Sequence, residues 1–124
     1  MTPRAATGSV TPAQASGGAA EEAAARFLER QGLRIVGRNF HTRLGEIDLI
    51  ARDGPVLVFV EVRMRSSAHF GGGAESIGPR KRARIAAAAA QYLARLRGEP
   101  PCRFDVVILD SGTPEWLRAA FEVA

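Results

Sequence analysis

Asp48, Glu61 and Arg63 stand in the pattern D-x12-E-x-R, which joins two carboxylates to one permanent cation. Carboxylates are hard oxygen donors, and Mg²⁺ favours one or two of them together with water and the oxygens of a substrate phosphate. An arginine beside them adds a charge that stays on at any working pH and suits the shape of a phosphoryl group. The chemistry open to this set is metal-assisted attack of water on a phosphodiester, with the cation stabilising the charge that develops on phosphate. The same side chains on one face of a hairpin also describe a solvated sheet surface. Asp48 favours the chemical reading, because it sits inside Ile47-Asp48-Leu49-Ile50. Strand propensity disfavours Asp there, and an unpaired charge among apolar neighbours is costly.

The elements that must position these residues are two β-rich runs, Gly45 to Ala51 and Val56 to Arg63, joined by Arg52-Asp53-Gly54-Pro55. Asp-Gly between such runs signals an antiparallel hairpin. Strand side chains alternate, so Glu46 and Asp48 should share a face, as should Phe59, Glu61 and Arg63, with Ile47, Leu49, Val58, Val60 and Val62 opposite. Closing the turn at Asp53-Gly54 pairs residues whose numbers sum to 107, and a longer loop around Pro55 makes the sum 109. Both are odd, so either register brings Asp48 and Glu61 together on one face, opposite or diagonal. Like charges so placed need a cation or a shared proton.

Around the hairpin, Ala19 to Gln31 predicts a first helix, with acids in its early turns and Gly32 at the C′ position. Leu33 to Val36 and Phe40 predict a strand with an irregular end near Gly37 and Asn39. Met64 to Gly78, with Gly71, Gly72 and Gly73, reads as a mobile surface loop. A second helix is expected from Pro79 to Arg97, with Ser76 as a cap, Gly98 as terminator, and Ile85, Ala89, Tyr92, Leu93 and Leu96 on its buried stripe. Phe104 to Leu109 suits a buried strand, and Trp116 to Val123 an additional edge strand. The order α-β-β-β-α-β(-β) places the chain in the α/β class, a mixed sheet flanked by two helices. Met1 to Gly18 reads as a flexible tail and residues 19–124 as a single domain.

Composition narrows the function classes. The chain has 124 residues, 46% hydrophobic and 24% charged, as expected of a packed globular protein. It has no apolar run of about 18 residues for a membrane-spanning helix and no apolar block behind Arg4 for a secretory signal. The expected setting is therefore cytoplasmic, with no membrane partner. One cysteine, Cys102, allows neither an internal disulfide nor a thiolate metal cage. His41 and His69 lack ligand spacing, and the glycine run lacks the Gly-Lys-Ser/Thr of a phosphate-binding loop. Net charge is +4, yet the window from Arg63 to Arg97 holds eight basic residues against Glu75 alone, a net +7. A polyanion is the expected partner. Arg65, Arg80, Lys81, Arg82 and Arg84 are its candidate contacts, the last four crowding a helix start where positive charge opposes the dipole. On composition alone the same residues describe an exposed Arg-rich face. Sixteen of the 17 basic residues are Arg, so Lys81, the only lysine, stands out.

Taken together, Gly45-Glu46-Ile47-Asp48-Leu49-Ile50, Val58-Phe59-Val60-Glu61-Val62-Arg63-Met64-Arg65, Phe70-Gly71, Lys81 and Arg103-Phe104-Asp105-Val106-Val107 resemble the YraN-like family. That family comprises uncharacterised bacterial proteins whose fold is similar to restriction endonucleases and Holliday-junction resolvases. The resemblance spans about Ala19 to Leu109. It implies an endonuclease-like fold, a Mg²⁺ or Mn²⁺ cofactor, and a ligand set of Glu21 on the first helix with Asp48 and Glu61. It implies Asp48, Glu61 and Arg63 as catalytic residues, although Arg63 occupies a lysine position and Ala20 one that is commonly glycine. The implied function is a metal-dependent endonuclease-like protein acting on or binding DNA, structured or branched forms included, with a homodimer compatible. Because a guanidinium does not readily act as a base, two other readings stand beside it. One is a non-catalytic nucleic-acid-binding module of the same fold, and the other is a protein-interaction scaffold.

Overall fold

Gly32 ends the first helix as its position requires. In the computed structural model, which describes residues 12–65, 77–110 and 113–122, α1 spans Pro12–Arg30. Gly32 adopts φ +100, its N–H donates to Glu29 O, and the Leu33 N–H reaches back to Leu28 O. This paired closure needs a left-handed residue at Gly32, and it turns Leu33 into the same apolar cluster as Leu28. The helix starts at Pro12 rather than Ala19, with proline suited to a first turn. Residues 1–11 of the expected tail lie outside the described residues, as do residues 66–76, which include His69, the three glycines, the Phe70-Gly71 pair and Ser76.

The strands are β1 (Arg34–His41), β2 (Glu46–Asp53), β3 (Val56–Met64), β4 (Cys102–Leu109) and β5 (Glu115–Phe121), with α2 (Pro79–Leu93) between β3 and β4. They form one sheet in the order β1-β2-β3-β4-β5, parallel only between β3 and β4, where α2 makes the crossover. This is the mixed α/β arrangement expected, with the final strand present. α1 covers one face through Ala20, Ala24, Ala25 and Leu28, which pack on Leu49, Ala51, Val58, Val60 and Val107. α2 covers the other through Ile85, Ala88 and Ala89, against Ile50, Leu57, Phe59, Val106 and Ile108. The helix ends at Leu93, short of the expected Arg97, because Arg95 and Leu96 close tighter turns onto Tyr92 and Leu93. Among the described residues, no helix is long and apolar enough to cross a membrane.

The β2–β3 hairpin takes the Pro55-dictated register, pairing Asp53 with Val56 and Leu49 with Val60, around Gly54 at φ +60. Beyond Leu49 the expected alternation fails. Leu49 and Ala51 face α1, yet Ile47 packs with Ile50 in the α2-side cluster instead of following Leu49. β1 turns over at the matching place. Arg38 reaches Glu22 on α1, whereas Phe40 packs edge-on against Tyr92 of α2, and Asn39 between them adopts φ +50. Asn tolerates this left-handed conformation better than most residues. The two strands therefore roll together at Asn39 and Asp48, and that roll positions the site.

Candidate functional site: a carboxylate cluster where two strands roll over

At the roll, the Asp48 side chain takes over work that the backbone ladder does elsewhere. The Val62 N–H donates to Asp48 Oδ2 at 2.8 Å. The Asp48 carboxylate also lies close to the carboxyl groups of Glu61 from β3 and Glu21 from α1. Three carboxyl groups from three elements therefore converge at this point. Glu61 is only 7% exposed. Burial first, and then the neighbouring Asp48, push its pKa up to about 7, against an opposing pull from Lys81. Glu21 is likewise raised to about 7, by burial and then by Asp48 and Glu46, while a hydrogen bond from Asn39 pulls it down.

Two cations answer this negative focus. Lys81 Nζ lies 3.2 Å from Glu61 Oε2, and Arg63 Nη1 lies 3.6 Å from the same oxygen. Lys81 arrives from the first turn of α2, which packs closely on the start of β2. A Cβ placed on Gly45 would fall on the carbonyl oxygen of Arg84, so only glycine allows the approach.

The structure brings together Glu21, Asp48, Glu61 and Arg63, and it adds Lys81, which sequence reasoning had grouped with the phosphate contacts. The basic set divides. Arg65 donates to Glu115 at 2.9 Å and lies 3.8 Å from Asp110, tying the end of β3 to the start of β5 and the residue after β4. Arg82 donates from Nε to Ile77 O at 2.8 Å and lies over the Phe121 ring, where it secures the start of α2. Arg80 and Arg84 are exposed on α2. Asn39 was missed as a partner of Glu21; its signal was the irregularity expected near that position.

A second polar network lies on the α1 side, away from the acids. Fully buried Asp105 accepts from Arg103 Nε, from Trp116 Nε1 and from the Ala119 N–H, and Arg103 extends to Asp53 at the hairpin turn. Every strong acceptor site is filled from within the fold, which marks a structural joint between β4, β5 and the hairpin. His41 pairs with Glu46 at 2.9 Å on the surface, and Cys102 is exposed.

Among the described residues, no three His, Cys, Asp or Glu side chains stand arranged as a ready metal cage. Glu21, Asp48 and Glu61 are closed on one another instead. Their donor chemistry nevertheless fits a hard divalent cation: crowded carboxylates repel one another, and such an ion relieves the repulsion through oxygen ligands.

Fold and site thus define an α/β protein with a mixed five-stranded sheet and one acidic focus at a strand irregularity. The chain belongs to the uncharacterised protein family UPF0102, whose family model matches residues 20–109. It is 52% identical over 120 residues to a UPF0102 protein of Bordetella parapertussis, covering 92% of this chain and 68% of that one. It is 56% identical over 109 residues to one of Dechloromonas aromatica, covering 86% and 88%. It is 50% identical over 112 residues to one of Janthinobacterium, covering 90% and 91%. The matched stretch contains Glu21, Asp48, Glu61, Arg63 and Lys81.

Proposed function

We propose that this protein is a cytoplasmic, metal-dependent endonuclease-like enzyme that hydrolyses phosphodiester bonds in DNA. The observation that carries the reading is the meeting of Asp48 and Glu61, from adjacent strands, with Glu21 from α1 and two cations on one Glu61 oxygen. Asp48 and Glu61 would hold Mg²⁺ or Mn²⁺, with Glu21 completing the outer ligand set. Bound there, the ion supplies a Lewis acid and an activated water. The chain's own residues do the rest. Asp48, fixed by the Val62 N–H, keeps its carboxylate at the strand roll. Arg63 offers a charge that does not titrate in the working range to the phosphate. Arg80 and Arg84, exposed on α2, contact the DNA backbone without reading sequence.

The raised pKa of Glu61 and the arginine at position 63 favour a second reading, a nucleic-acid-binding module of the same fold without turnover. One experiment separates them: labelled duplex, flap and junction DNA incubated with Mg²⁺ or Mn²⁺. Cleavage lost in an Asp48→Ala/Glu61→Ala double variant supports the enzyme, and cleavage that persists in that variant removes this mechanism. Salt-sensitive DNA retention without cleavage supports the module, and no retention at low salt leaves a protein-interaction scaffold.

A further inference from the structure

Two cations sharing one carboxylate oxygen are not equivalent. Lys81 reaches Glu61 Oε2 at 3.2 Å, within hydrogen-bonding range, whereas Arg63 stands at 3.6 Å. An ammonium is compact and can seat on a single oxygen, while a guanidinium is a planar fork that suits two oxygens at once. Lys81 occupies the first turn of α2, where the helix dipole opposes a positive charge, so helix stability does not account for it. Its side chain is 42% exposed, so a solvated position was open to it, yet it turns inward to a buried acid on another element. Gly45 holds the two elements close, because any side chain there would collide with the Arg84 carbonyl one turn along α2.

We propose that Lys81 is a positioning residue of the acidic site. Its ammonium, the nearer of the two cations on Glu61 Oε2, fixes the Glu61 carboxylate in place to receive a divalent cation. This assignment rests on the enzyme reading above and removes Lys81 from the set of DNA-backbone contacts.

The test uses the full chain and five forms: wild type, Lys81→Ala, Lys81→Arg, Lys81→Ala/Arg63→Lys, and Arg80→Ala/Arg84→Ala as a DNA-contact control. Retention of labelled duplex is measured in EDTA across a salt series, and cleavage with Mn²⁺ is resolved into kcat and KM. Lys81→Ala should leave metal-free retention within about 2-fold and its salt slope unchanged, while the control loses retention. Lys81→Ala should lower kcat at least about 100-fold with KM nearly unmoved. Lys81→Arg should fail to restore it, and a lysine introduced at position 63 in the Lys81→Ala background should recover at least about 10-fold, because that ammonium also reaches Glu61. A salt slope that falls by about one on Lys81→Ala would make Lys81 a phosphate contact and overturn the proposal. So would an unchanged kcat, or an absence of rescue in a variant whose melting curve shows it folded. If wild type cleaves nothing, the enzyme reading fails by itself and takes the metal-positioning role with it, whereas a metal-free salt slope that falls on Lys81→Ala overturns the assignment of Lys81 alone.

Discussion

Replacing Glu61 by glutamine should make the protein more stable at pH 8 while removing the metal-dependent cleavage proposed for it. Glu61 holds its proton more tightly in the fold, with a pKa of about 7, than its ordinary value of 4.5. Its protonated form therefore favours the native state, and that contribution is fully present below pH 4.5 and lost as pH rises through 7. At 1.36 kcal/mol per pKa unit the loss by pH 8 has a ceiling of about 3 kcal/mol. Glu61 is 7% exposed, so solvent screens little of it, but relaxation of the cluster lowers the working figure to about 2 kcal/mol. For a chain of 124 residues that is roughly 5–10 °C in melting temperature. Thermal melts in EDTA at pH 5 and pH 8 measure it. Wild type should lose roughly 5–10 °C more than Glu61→Gln between the two, and Mn²⁺ at pH 8 should restore wild type alone. The groups facing Glu61 are Asp48 from β2, Lys81 from α2 and Arg63 on its own strand, with Glu21 from α1 joined through Asp48. A Glu21→Gln background then separates the two raised acids. Parallel melting curves for wild type and Glu61→Gln would refute the reasoning.

Two further outcomes concern what holds the site. Asp105→Ala strips a fully buried acceptor from Arg103, Trp116 and the Ala119 N–H; urea unfolding should register a loss of about 3–5 kcal/mol, and one under about 1 kcal/mol would contradict the account. Gly45→Ala forces α2 away from β2; it should cost about 1–3 kcal/mol by the same measurement and depress Mn²⁺-dependent cleavage, whereas a neutral result would show that the close approach is not needed.

Much of this arrangement could be read from local rules. The parity of either hairpin register brought Asp48 and Glu61 together, Gly32 marked the end of α1, and Pro55 chose between the registers. Those features depend on turn chemistry and strand alternation, which act over a few residues. Glu21 entered only by resemblance, since an acid in an early helical turn otherwise reads as a dipole partner. Tertiary structure alone decided three things: the joint roll of β1 and β2 at Asn39 and Asp48, the pairing of Arg65 with Glu115 and of Arg82 with the Ile77 carbonyl, and the seating of Lys81 on Glu61. Each depends on where a distant element packs. Lys81 and Glu61 meet because α2 crosses between the parallel strands β3 and β4 and its second turn, at Arg84, lies against Gly45, and no periodicity within one segment encodes the distance between two.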